Sequence, residues 1–189
     1  MYLENNHCIS NGYFKKDFCE KVIQIGENLK IEEAKLDNNN DLKATTRKGK
    51  VSWIKDLEIM KEIAKVINVH NKTAKWNFSL KSFEPLQYSI YEPGGHYDWH
   101  IDSHPKPYTD GMIRKVSFTL CLNEEYEGGE FEVARPNPNP EKHKFTKFKD
   151  KFTMGTLISF PSFVWHKVHP VTSGTRKVLV GWATGPSFV

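Results

Sequence analysis

The sequence predicts a mainly β protein, a two-sheet sandwich or jelly roll of about eight strands with two preceding helices packed on one sheet. Three observations carry this expectation. Before about residue 75, apolar side chains recur at helical spacing. Beyond it, short runs of β-branched and aromatic residues alternate with Gly, Pro and Asn turn signals. The chain has 189 residues, 38% hydrophobic and 26% charged, which suits one soluble domain with a real core.

Taken in order, Phe14, Phe18, Val22, Ile25 and Leu29 predict an amphipathic helix over residues 15–29. A polar loop centred on Asn38, Asn39 and Asn40 follows. Trp53, Leu57, Met60, Ala64 and Ile67 predict a second helix, with Ser52 as its N-cap. Strands are expected near 76–82, 85–92, 97–102, 115–122, 129–134, 152–160, 164–169 and 176–183. Residues 135–151 contain RPNPNP and then Lys142, Lys144, Lys147, Lys149 and Lys151, and read as an insertion between strands. Neither a repeat nor a linker divides the chain. The expectation is one domain over 1–189, helical over 1–75 and a jelly-roll core over 76–189.

Composition narrows the function classes. A net charge of +4 does not by itself argue for nucleic acid. Cys8, Cys19 and Cys121 show no paired spacing, which favours free thiols in a reducing compartment. No basic start leads into an apolar stretch, and no apolar run approaches the roughly 20 residues of a membrane span. A soluble, cytoplasmic protein without membrane contact is expected. Only four of the 27 basic residues are arginine (Arg47, Arg114, Arg135 and Arg176), the type favoured where a planar fork grips a carboxylate.

The chemistry concentrates in YEPGGHYDWHIDS, residues 91–103. His100 and Asp102 are two apart, so on a strand both leave from the same face. There they can take adjacent corners of a metal's coordination sphere. His166, in FPSFVWHKVHP, is the third candidate ligand, on a late strand that a jelly roll can bring alongside. Two imidazoles and one carboxylate suit a non-haem iron(II) oxygenase with three open positions, and the absence of thiolates argues against structural zinc. A His-x-Asp pair alone is more often solvated or hydrogen-bonded than metal-bound. Arg176 lies ten residues past His166, where the apolar strand KVLVGW begins. A buried arginine needs an anion, and the distal carboxylate of 2-oxoglutarate would supply one. A surface arginine at a strand edge is the equal alternative at this level.

Together these segments resemble the prolyl 4-hydroxylase branch of the 2-oxoglutarate and iron(II)-dependent dioxygenases, over roughly residues 85–184. YEPGGHYDWHID is similar to the family's Tyr, Pro-Gly, Tyr-x-x-His-x-Asp. Arg114 followed after seven residues by Leu122-Asn123, then Gly128-Gly129-Glu130, is similar to its central hairpin. His166 to Arg176 resembles His-x-Val-x-Pro-Val-Thr-x-Gly-x-Arg, ending in Trp182. The resemblance implies a double-stranded β-helix that hydroxylates a proline of a protein or peptide partner, releasing succinate and CO2. It implies iron(II) on His100, Asp102 and His166, with 2-oxoglutarate and O2 as co-substrates and ascorbate a further candidate as reductant. Arg176 would bind the outer carboxylate of 2-oxoglutarate, with Tyr91 a second contact. Tyr97, Arg114 and Trp182 match the proline site. Cys121 falls where relatives often carry a tyrosine or threonine touching the co-substrate. RKGKVSW, Arg47 to Trp53, resembles a substrate-covering segment, with Gly49 where a serine is usual.

Other histidines are expected outside the metal site. His169, at an odd offset from His166, faces the other way, and His96 and His104 read as loop residues. The rival substrates are a free amino acid, a peptidyl lysine or alkylated nucleic acid. For nucleic acid the lysine run would serve the phosphates, although it reads more simply as a solvated loop. A non-catalytic binding module is the remaining alternative, since fold does not fix function.

Overall fold

The computed structural model describes residues 5–34, 46–104, 106–135, 144–148 and 152–188. The predicted Asn38–Asn40 loop, and Lys142, Lys149 and Lys151, lie outside them.

Among the described residues, two long helices precede the core. Helix α1 (Lys16–Glu27) buries Cys19, Val22 and Gly26. Helix α2 (Leu57–Thr73) buries Ile59, Ile63, Val66, Ile67 and His70. The expected start of α2 is corrected here. Ser52 and Trp53 belong to strand β4 (Lys50–Ile54), and Asp56 is the N-cap, accepting from the amides of Glu58 and Ile59 at 2.9 Å each. Ser52 instead donates to the carbonyl of Gly26 at 2.7 Å, tying β4 to α1. Two apolar stripes overlap in this stretch, and the one running through Leu57 is the wrong one, for Leu57 is 71% exposed.

The larger sheet has eight strands. Its path runs β1 (Cys8–Ser10), β12 (Leu157–Pro161), β8 (Met112–Cys121), β15 (Arg176–Pro186), β6 (Leu86–Tyr91), β4 and β2 (Glu32–Glu33). Strand β5 (Ser82–Phe83) adds to β15. The smaller sheet orders β11 (Lys144–Phe148), β10 (Phe131–Arg135), β13 (His166–Val168), β7 (His96–His100) and β3 (Arg47–Lys48). A two-stranded ribbon pairs β14 (Val171–Gly174) with β9 (Tyr126–Gly128). All these pairings are antiparallel, as the predicted jelly roll requires.

The period-2 alternation of β15 decides the layers. Leu179 and Ala183 join Val22, Ile59, Ile63 and Ile67 in the core beneath the helices. Val178 joins Phe131, Phe160 and Val168 in a second core between the sheets. The functional side chains share that inner face.

Further expectations need correction. The strand predicted over 76–82 is confined to Ser82–Phe83, because Lys75 and Asn77 sit at φ +58° and +53° and Asn71 clamps Phe78 through its backbone N–H and C=O. The predicted insertion is partly sheet: Arg135 ends β10, and Lys144–Phe148 form β11 on its edge, so the lysine run is not a continuous solvated loop. His96 opens strand β7 opposite Lys48 rather than lying in a loop.

Candidate active site

His100 ends β7 and His166 opens β13, and the two residues are direct partners in the smaller sheet. Between His166 and Val168 the register slips, so that Tyr97 pairs with Val168 while His100 pairs with His166. This bulge brings Tyr97 and His100 to the same side despite their odd spacing. Their rings stack at 3.4 Å between centroids and 12° between planes.

Asp102 arrives by another route. Strand β7 stops at His100, so Asp102 is not placed by strand alternation as expected. Instead the amides of Asp102 and Ser103 donate to the carbonyl of Ser162, at 2.9 and 3.0 Å. Ser162 in turn is bound through its own amide to Lys115 of β8 and through its hydroxyl to Ser117. The carboxylate is thus pinned to the end of β12.

The three side chains converge. Oδ1 of Asp102 lies 3.8 Å from Nε2 of His100, and Oδ2 lies 3.5 Å from Nε2 of His166. One ligand atom from each lies within 4.8 Å of the others. Nδ1 of His100 faces the Asp98 carbonyl at 2.7 Å, and Nδ1 of His166 faces the Val164 carbonyl at 3.0 Å. A carbonyl only accepts, so each Nδ1 carries a proton, which leaves Nε2 as the nitrogen able to face a metal. Burial, then the neighbouring His166, pushes the His100 pKa down to about 3 and keeps that ring neutral. Burial alone would raise the pKa of Asp102, but the facing imidazoles hold it below the ordinary carboxylate value. Two imidazoles and one carboxylate on a single side fit a divalent, oxygenase-type iron.

The triad lines a cavity of about 500 Å³ shared with Tyr91, Tyr97, Arg114, Arg176 and Trp182. Arg176 is the decisive member. It is fully buried, and among the described residues neither Nε nor either Nη has a hydrogen-bond partner of good geometry. A buried guanidinium left this way costs several kcal/mol, on the order of an unpaired buried ion, unless an anion joins it. The rings of Tyr91 and Phe152 flank it, at 5.5 and 5.2 Å. The residues therefore fit a small dianionic co-substrate as well as the metal.

The other predicted residues are placed as follows. Arg114 is not a free fork: Nε and Nη2 grip Glu84 at 2.8 and 2.6 Å, and its guanidinium lies 3.8 Å over Trp182. Cys121 is buried outside the cavity wall, its thiol donating to the carbonyl of Asn123 at 3.1 Å. His104 borders the cavity beside Tyr108, while His169 pairs with Glu132 at 2.6 Å. Glu84 and Ser162 escaped sequence reasoning. Trp53 lies in the RKGKVSW segment and borders the cavity mouth, tilted against Trp182 at 6.4 Å. Nothing in the sequence pairs Glu84 with Arg114 or Ser162 with Asp102.

A jelly roll whose smaller sheet presents two histidines, joined by one aspartate, in front of a buried arginine has the donor set of the mononuclear metal oxygenase class. Residues 86–184 match the 2OG-Fe(II) oxygenase superfamily, and the chain belongs to that family. A PKHD-type hydroxylase of Acaryochloris marina is 36% identical over 151 residues, covering 79% of this chain and 61% of its own. Against the first three such relatives the chain spans 61%, 42% and 54% of their length. A Pseudomonas putida prolyl-4-hydroxylase superposes with TM-score 0.69 at 20% identity, covering 97% of this chain and 95% of that one. A Trichoplax adhaerens prolyl hydroxylase, solved with a hypoxia inducible factor peptide fragment, superposes with TM-score 0.66 at 22% identity, covering 95% and 84%. At these identities the two structures speak for the fold alone. Among the described residues, no helix is long and apolar enough to cross a membrane.

Proposed function

We propose that the chain catalyses 2-oxoglutarate- and iron(II)-dependent hydroxylation of a prolyl residue in a protein or peptide, releasing succinate and CO2. One observation carries this reading: a fully buried arginine, without a well-formed hydrogen bond among the described residues, lines the same cavity as two histidines and an aspartate whose ligand atoms converge. His100, Asp102 and His166 would hold iron(II), which with 2-oxoglutarate and O2 supplies the oxidising power for C–H hydroxylation.

The chain's own residues do the rest. Arg176 would fix the distal carboxylate of 2-oxoglutarate through charge-assisted bonds, with Tyr91 of the neighbouring strand flanking it. Phe131, Phe160, Val178 and Val180 line the cavity with apolar surface and keep water from it. Carbonyls at Asp98 and Val164 hold the imidazole protons on Nδ1, so the ligand nitrogens do not turn away. Trp182, Tyr97 and the clamped Arg114 form a rigid aromatic and cationic wall for a pyrrolidine ring. Support for the prolyl substrate comes from the motifs shared with the prolyl 4-hydroxylase branch, and the PKHD-type hydroxylase relatives support the hydroxylase reading.

Succinate release from 2-oxoglutarate, with iron(II) and with or without proline-containing peptides, tests the proposal. Peptide-stimulated turnover is expected. Arg176→Ala should lower it by roughly 100-fold, the worth of a bidentate charged contact. Turnover that no prolyl peptide stimulates would remove the substrate class, and failure to bind iron(II) would remove the activity.

A further inference from the structure

A buried indole N–H ordinarily finds an acceptor, and one that does not calls for a reason. Trp182 is 5% exposed, and its Nε1 has no hydrogen-bond partner of good geometry among the described residues. The ring is not free to turn away. The Arg114 guanidinium lies over it at 3.8 Å, and Trp53 leans against it with centroids 6.4 Å apart. Asp102 lines the same cavity and is the one carboxylate among its described lining residues. The sheet makes the two neighbours. Trp182 pairs with Ser117 of β8, the hydroxyls of Ser117 and Ser162 are 2.9 Å apart, and the Ser162 carbonyl holds the Asp102 amide at 2.9 Å.

The carboxylate has a matching need. Its two oxygens face different imidazoles, at 3.8 and 3.5 Å, and a carboxylate that gives one oxygen to a metal keeps the other for a hydrogen-bond donor. Burial opposes the charge of Asp102, while the imidazoles, then the Ser117 hydroxyl and the Trp182 indole, favour it. An N–H without an acceptor and a carboxylate in need of a donor thus meet at one corner of the cavity. We infer that Trp182 is a positioning residue for the metal: its indole N–H donates to the Asp102 oxygen turned from the metal and so fixes which oxygen is left to ligate. The inference rests on the iron(II) reading above and adds to it a residue that touches no metal. Strand β15 then serves both halves of the site, the co-substrate through Arg176 at its start and the metal through Trp182 further along.

The test is calorimetric titration of the metal-stripped protein with Mn(II), without 2-oxo acid or peptide. Trp182→Phe keeps a ring in the wall but removes the N–H, and should weaken Mn(II) binding by about ten-fold, the lower end of what an outer partner of a metal ligand is worth. Benzothienylalanine at position 182 keeps the bicyclic shape with sulfur in place of the N–H, and should weaken it equally. Trp53→Phe alters the same wall from a strand that carries no ligand, and should leave it unchanged. Native affinity in the sulfur-bearing protein would assign the loss in Trp182→Phe to shape, and an equal loss in Trp53→Phe would assign it to the wall as a whole; either overturns the inference. Undiminished affinity in both position-182 variants overturns it too, with the iron(II) reading intact. If the unaltered protein binds no Mn(II), that reading falls first and the inference with it.

Discussion

At the scale of single residues, the site depends on how tightly its charged groups are held by neighbours that never touch substrate. Gly129 is one such neighbour. It sits at φ +63°, and a Cβ there would come 2.8 Å from Cδ of Arg176 and 3.0 Å from a methyl of Val171. Gly129→Ala should therefore displace the guanidinium and weaken 2-oxoglutarate binding by about ten-fold, equivalent to about 1.4 kcal/mol. Mn(II) affinity should be unchanged, because the three ligands lie on other segments. A calorimetric titration of each ligand checks both halves, and parallel losses would point to general unfolding. Glu84 plays the corresponding part for Arg114. With both carboxylate oxygens engaged by Arg114, and Tyr108 also donating to Oε1 at 2.9 Å, it holds the guanidinium flat on Trp182. Glu84→Gln keeps the shape but loses the charge, and should raise peptide KM several-fold while peptide-free consumption of 2-oxoglutarate stays constant.

At the scale of elements, the N-terminus of α2 gives a sharp check. Asp56, not Ser52, satisfies two of the orphan amides, so Asp56→Ala should cost about 1 kcal/mol and lower Tm by roughly 2–4 °C. A shift confined to Ser52→Ala would restore the sequence-based cap. The example shows what was legible and why. Runs rich in β-branched and aromatic residues were readable: β6, β8 and β15 fall where expected, and β12 overlaps only the end of its expected range, because each is buried along most of its length. Two- and three-residue strands such as β1, β3 and β9 carry too few side chains for any period to show, and they exist only because a longer neighbour pairs with them. In the site, His100, His166 and Arg176 were legible from type and spacing. The position of Asp102 was foreseen for the wrong reason, since a carbonyl at Ser162 rather than strand parity turns it inward. Glu84 was invisible, because its partner Arg114 lies on a distant strand with no local pattern to announce it.

At the scale of the whole molecule, the larger sheet is shared by two cores, one under the helices and one around the cavity. What fastens the helical layer is partly polar. His70 of α2 is buried between two hydroxyls, with Nε2 at 2.7 Å from Ser10 of β1 and Nδ1 at 2.7 Å from Ser159 of β12. One ring nitrogen can donate and the other accept, so the neutral imidazole is satisfied by its two partners. Burial lowers its pKa from the ordinary 6.5 to about 4. The sign of the consequence follows. Below pH 6.5 the unfolded chain takes up a proton that the folded one refuses, so stability falls as pH drops and levels off only below about 4. Many carboxylates also respond in acid, and the contribution of His70 is isolated by comparison with His70→Gln, which cannot titrate. Melting curves at intervals between pH 7 and 4 should show a shallower acid loss in the variant, even if its stability at pH 7 is lower. Parallel curves for the two proteins would mean that His70 charges as readily inside the fold as outside it. The hydroxyl pair would then be accepting from an imidazolium, and the link between β1, α2 and β12 would be ionic rather than neutral.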